Sequence, residues 1–130
     1  MKRLLDTNAY AALKRGHEGV SRVVRESTDL VFSMVVVGEL LFGFRNGTRF
    51  DSNSRELDEI LADPRVSVLL VTRTTADRFG RIASALRQAG TPIPSNDIWI
   101  AAHTFESGAE LITFDSHFEA VDGLVWTRLV

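Results

Sequence analysis

Short apolar runs without polar alternation take turns along this chain with segments whose apolar residues recur at helical spacing. A strand that is apolar on both faces must be covered on both. The alternation therefore predicts an α/β fold, a central and mostly parallel sheet with helices on either face. With 130 residues, 45% of them hydrophobic, the chain can bury one sizeable core, and a single domain over residues 1–130 without a linker is expected.

Arg3-Leu4-Leu5 reads as a buried strand ending at Asp6, after which Thr7-Asn8 caps a helix through about Arg15, closed by Gly16. A second helix is expected from Glu18 to Glu26, followed by a strand from Leu30 to Ser33. Val35 to Phe44 fits two readings. Its valines favour a strand, whereas Gly38 to Phe42 with the terminators Gly43 and Asn46-Gly47 favour a helix, the reading adopted. Leu57, Ile60 and Leu61 mark an amphipathic helix from Arg49 to Ala62, stopped by Asp63-Pro64, and Val66 to Val71 follows as a strand. Thr74 or Thr75 caps a helix to about Gln88, ended by Ala89-Gly90, and Thr91 to Ser95 is a loop. Ser95 or Asn96 then caps a helix from Asp97 to about Glu106, ended by Gly108. A strand from Glu110 to Phe114 stops at Asp115, and Leu124 to Trp126 is the last strand expected.

Four acids, Asp6, Glu39, Asp97 and Asp115, stand at the ends of these apolar strands or inside apolar helices. Each has an ordinary explanation. Asp6 and Asp97 can cap helices, and Asp115 can open a turn. Glu39 cannot cap from mid-helix, and no basic residue lies three or four positions away, so a metal or a distant arginine is expected to compensate it. Asp6 and Asp115 share the carboxyl edge of the sheet, where open parallel sheets bind their ligands. Clustered carboxylates repel unless a cation neutralises them, and hard oxygen donors select Mg2+ or Mn2+. One such ion, or two, activates water against a phosphodiester, so metal-assisted phosphodiester hydrolysis is the reaction class expected.

Several functions are excluded. The chain has no cysteine, which removes disulfides, thiol nucleophiles and Cys-ligated zinc and agrees with a reducing, cytoplasmic setting. A net charge of −2 offers no global attraction for nucleic acid, so phosphate must be handled locally. Arg45, Arg49, Arg73 and Arg78, near element ends, are the candidates for that contact, each more readily read as a solvated charge. Met1 to Leu5 is too short for a signal peptide and no apolar run is long enough to span a bilayer, so a soluble protein without membrane partners is expected. Serine-hydrolase, NTPase and dinucleotide-binding motifs are absent. His17, His103 and His117 lack ligand spacing and are left outside the chemistry.

In Leu5-Asp6-Thr7-Asn8, in Ser33 with Gly38-Glu39-Leu40 and Gly43, in Asn96-Asp97-Ile98-Trp99-Ile100-Ala101-Ala102, and in Gly108 with Leu111 to Phe118, the chain resembles the PIN-domain ribonucleases, most of all the VapC-type toxins of toxin–antitoxin pairs. The likeness covers nearly the whole length and implies a PIN-like three-layer sandwich. It implies that Asp6, Glu39, Asp97 and Asp115 hold Mg2+ or Mn2+, with Thr7, Asn8, Ser33 and Thr113 as supporting polar residues. It further implies a type II toxin that blocks translation by cleaving tRNA or ribosomal RNA, a VapB-type antitoxin that covers the acidic pocket, and a homodimer. One departure is Phe114 and Ser116 beside Asp115, where many relatives carry a basic residue. A non-catalytic PIN-like module for RNA or protein binding is the alternative, but such a module is expected to have lost acids. An aspartyl-phosphate phosphatase needs a downstream lysine, and none follows Lys14.

Overall fold

The computed structural model describes residues 1–130. Five strands, β1 (Lys2–Leu5), β2 (Asp29–Ser33), β3 (Val66–Leu69), β4 (Glu110–Thr113) and β5 (Trp126–Arg128), form one sheet in the order β3-β2-β1-β4-β5. Every neighbouring pair is parallel, as continuous apolar strands require. Six helices cover it: α1 (Thr7–Lys14), α2 (Glu18–Glu26), α3 (Met34–Arg45), α4 (Phe50–Leu61), α5 (Arg73–Ala89) and α6 (Ser95–Ser107). A 3₁₀ turn, Ser116–Ala120, follows β4.

Consecutive residues of the central strands face opposite ways. Leu4 lies in register with Val31 and Leu111, and all three pack into the larger core with Leu40, Ile100, Ala101 and Phe118. Leu5 and Ile112, paired one step further on, pack on the other face against Ala9, Ala12 and Val20 of α1 and α2. The three-layer α/β sandwich follows from that alternation. No helix is long and apolar enough to cross a membrane.

The ambiguous central segment is helix α3, burying Val36, Val37 and Leu40. Several termini differ from the sequence reading, and β3 stops at Leu69 rather than Val71, with Leu70 and Val71 exposed. Asp6, rather than Thr7 or Asn8, caps α1, its carboxylate accepting the Ala9 N–H at 2.9 Å. Thr72, rather than Thr74 or Thr75, caps α5 in a reciprocal box with Thr75, because Thr75 is buried and its hydroxyl also donates to Glu106 at 2.7 Å. The start of α6 has no side-chain cap. The Pro94 carbonyl accepts from Asp97 and Ile98, while Asn96 reaches across to Glu39. Strand β5 begins at Trp126 rather than Leu124, since the turn at Gly123 (φ 80°) delays pairing until the Val125 carbonyl accepts the Leu111 N–H.

Candidate active site

In this strand order the chain leaves β1 toward β2 on one side and later enters β4 on the other, so the carboxyl ends of β1 and β4 form the switch point at which open parallel sheets bind ligands. Asp6 is the residue after β1, and Asp115 lies two residues past the end of β4. Glu39 comes from the middle of α3, and Asp97 from the first turn of α6.

A chain of hydrogen bonds joins three of these acids. Thr113, the last residue of β4, donates its hydroxyl to Asp6 Oδ2 and accepts the Asp115 N–H at 3.0 Å. Asp115 Oδ1 accepts the His117 N–H at 2.9 Å and so caps the 3₁₀ turn. His117 Nδ1 then lies 2.9 Å from Asp97 Oδ2 and 3.1 Å from Asp115 Oδ2. Both partners are carboxylates, so Nδ1 carries the proton. A second chain holds Glu39. Its Oε1 accepts from Thr7 Oγ1 at 2.6 Å and its Oε2 from Asn96 Nδ2 at 3.3 Å. The two chains meet at the backbone neighbours Asp6 and Thr7 and at Asn96 and Asp97.

The electrostatics agree with crowding of negative charge. Burial raises the Asp6 carboxyl from 3.8 to about 6, opposed by the Thr113 and Ala9 hydrogen bonds and reinforced by the charges of Asp97 and Asp115. Asp97 is raised by burial, opposed by its His117 bond and reinforced by Asp115 and Glu39. The hydrogen bond to Asp97 holds the His117 imidazole above its ordinary 6.5. Ligand atoms of Asp97, Asp115 and His117 all lie within 4.8 Å of one another. Mutually repelling carboxylates around a narrow gap form a donor set that fits a divalent cation.

Of the supporting residues expected from the sequence, Thr7 and Thr113 bind acids directly. Asn8 is exposed, and its side chain makes no hydrogen bond. Ser33 turns elsewhere. It caps α3 through Val35 N–H and donates to His103 Nδ1 at 2.7 Å, while His103 Nε2 donates to the Leu70 carbonyl at 3.1 Å. That buried bridge ties the ends of β2 and β3 to α6, behind the pocket. Glu39 is only partly buried, and its hydrogen-bond partners are two neutral donors rather than a distant arginine. Arg45 and Arg78 lie over the rings of Phe50 and Phe105. His117 was set aside on sequence grounds, yet it touches two of the acids. The signal was the Asp115-Ser116-His117 spacing, which brings the imidazole back to its own capping carboxylate.

The PIN domain family model matches residues 3–124. Ribonuclease VapC1 of Haemophilus influenzae (strain R2866) is 30% identical over 129 residues, covering 95% of this chain and 94% of that protein. The VapBC-1 structure from nontypeable Haemophilus influenzae aligns with a TM-score of 0.84 at 27% identity over 98% of both chains. VapBC2 of Rickettsia felis, solved bound to a promoter DNA fragment, aligns over 100% of both chains with a TM-score of 0.87 at 22% identity, a likeness of fold.

Proposed function

This chain belongs to the PIN-domain family, and on that premise we propose that it is a metal-dependent endoribonuclease of the VapC type, the toxin of a type II toxin–antitoxin pair. One nuclease domain spans residues 1–130, and Asp6, Glu39, Asp97 and Asp115 form its metal-binding and catalytic set. The observation that carries the reading is the pair of hydrogen-bond chains joining the four acids at the carboxyl edge of the sheet.

Bound Mg2+ or Mn2+ supplies charge neutralisation at the scissile phosphate and acidifies the attacking water. Asp97 and Asp115 would hold the ion, and Asp6, one oxygen of which accepts from Thr113, would add its charge to the acidic set around it. Glu39, steadied by Thr7 and Asn96, keeps a lone pair free on each oxygen and takes the proton of the attacking water. The substrate is single-stranded RNA in a tRNA or ribosomal RNA loop, whose cleavage stops translation. A VapB-type antitoxin covers the pocket, the protein works in the cytoplasm, and it pairs with a second copy of itself.

Incubation of the purified protein with a structured RNA pool tests the reading. Cleavage is expected with Mg2+ or Mn2+, none with EDTA, and a loss of about 100-fold or more in Asp97→Ala with the fold retained by circular dichroism. Cleavage that survives EDTA or the substitution rules the reading out. Growth arrest on expression, relieved by the neighbouring reading frame, separates a toxin from a housekeeping nuclease.

A further inference from the structure

All four acids offer only oxygen, but a nitrogen stands between Asp97 and Asp115. His117 Nδ1 sits 2.9 Å from one carboxylate and 3.1 Å from the other. Adjacent ligands around an octahedral ion with bonds of about 2.1 Å are separated by about 3.0 Å, so Nδ1 stands at the spacing of a neighbouring vertex from each carboxylate oxygen, and all three atoms lie within 4.8 Å of one another. Nδ1 has a single proton to share between two carboxylates, and that proton occupies the place where one cation would satisfy all three atoms. The ring is held there by its backbone. Asp115 Oδ1 receives the His117 N–H, and Phe118, fully buried, anchors the next residue. Nε2 of this half-exposed ring makes no hydrogen bond, leaving it free to carry the proton once Nδ1 is a ligand.

We propose that His117 is a nitrogen ligand that makes this site select Mn2+ over Mg2+. The proposal rests on the metal-dependent reading above. Mg2+ is hard, prefers oxygen and keeps its water, whereas imidazole is a better donor to transition-metal ions, whose affinities rise along the divalent series from manganese. Replacing one carboxylate by an imidazole in such a sphere weakens Mg2+ more than Mn2+. The oxygen ligands still keep the set hard enough to hold manganese.

Pulsed electron paramagnetic resonance on the full chain loaded with Mn2+ reads the ligand directly. Hyperfine coupling to a bound imidazole nitrogen is expected in the native protein and absent in His117→Ala and His117→Asp. Calorimetric titration with each ion adds the selectivity. His117→Asp, which returns an oxygen, is expected to bind both ions and to lower the ratio of Mn2+ to Mg2+ affinity by about tenfold. If Mn2+ binds and is lost in Asp97→Ala yet shows no nitrogen coupling, or if His117→Asp keeps the native ratio, the proposal is wrong and the metal-dependent reading stands. If the native protein binds neither ion, both fall together.

Discussion

Asp6 is 6% exposed, and its raised pKa makes a cation-free protein less stable at neutral pH than it need be. The folded state holds this proton more tightly than the unfolded chain. The associated stability is therefore complete below about pH 4 and is lost as pH rises through about 6. Asp6→Asn keeps an acceptor for Ala9 and removes the buried charge. Two pKa units at 1.36 kcal/mol each set the scale, so the substitution is expected to stabilise the protein in EDTA at pH 7 by about 1–3 kcal/mol while abolishing RNA cleavage. Thermal melting across that pH range checks the sign. Thr113→Val keeps the shape of a residue with no exposure but strips a donor from Asp6 and an acceptor from Asp115, which is expected to cost about 1–3 kcal/mol in urea denaturation. The acids stood out in the sequence because carboxylates are conspicuous in apolar segments. Their partners did not: Ser33 meets His103 and Thr7 meets Glu39 across long stretches of chain, and nothing local in the sequence encodes such pairs.

Helix ends show a similar division. Gly90 and Gly108, at φ 72° and 69°, close α5 and α6 where the sequence placed them, because only glycine adopts that backbone readily. The starts were harder. The run Thr72-Arg73-Thr74-Thr75 offers three threonines, and the choice between them depends on Thr75 being buried against Glu106. Thr72→Ala is expected to cost about 1 kcal/mol, and equilibrium denaturation reads it. Arg73→Ala at the neighbouring position, which makes no cap bond, serves as the control. Strand β5 was misplaced for a related reason. As an edge strand it is partly solvent-facing, so Thr127 and Arg128 belong to it although they break the apolar pattern used to find strands.

The alternation of apolar runs and helical periods determined the layers of the molecule and the parallel sense of its sheet, but not the strand order. Order depends on which edges meet, and no single element records that. In the structure it sets β1 beside β4 and so brings together acids far apart in the chain. Occupancy of that pocket by a cation links the ion to the stability of the whole fold. Saturating Mn2+ at about 100 times its dissociation constant is expected to add about 2.7 kcal/mol and to raise the melting temperature by about 10 °C, an effect lost in Asp115→Ala. Differential scanning calorimetry with and without the ion measures it. The pairing of β1 with β4 also sets a timetable. Thr113 is translated 107 residues after Asp6, and His117 later still, so a nascent chain that has not yet delivered β4 carries no finished pocket and is an inert product beside the machinery that makes it.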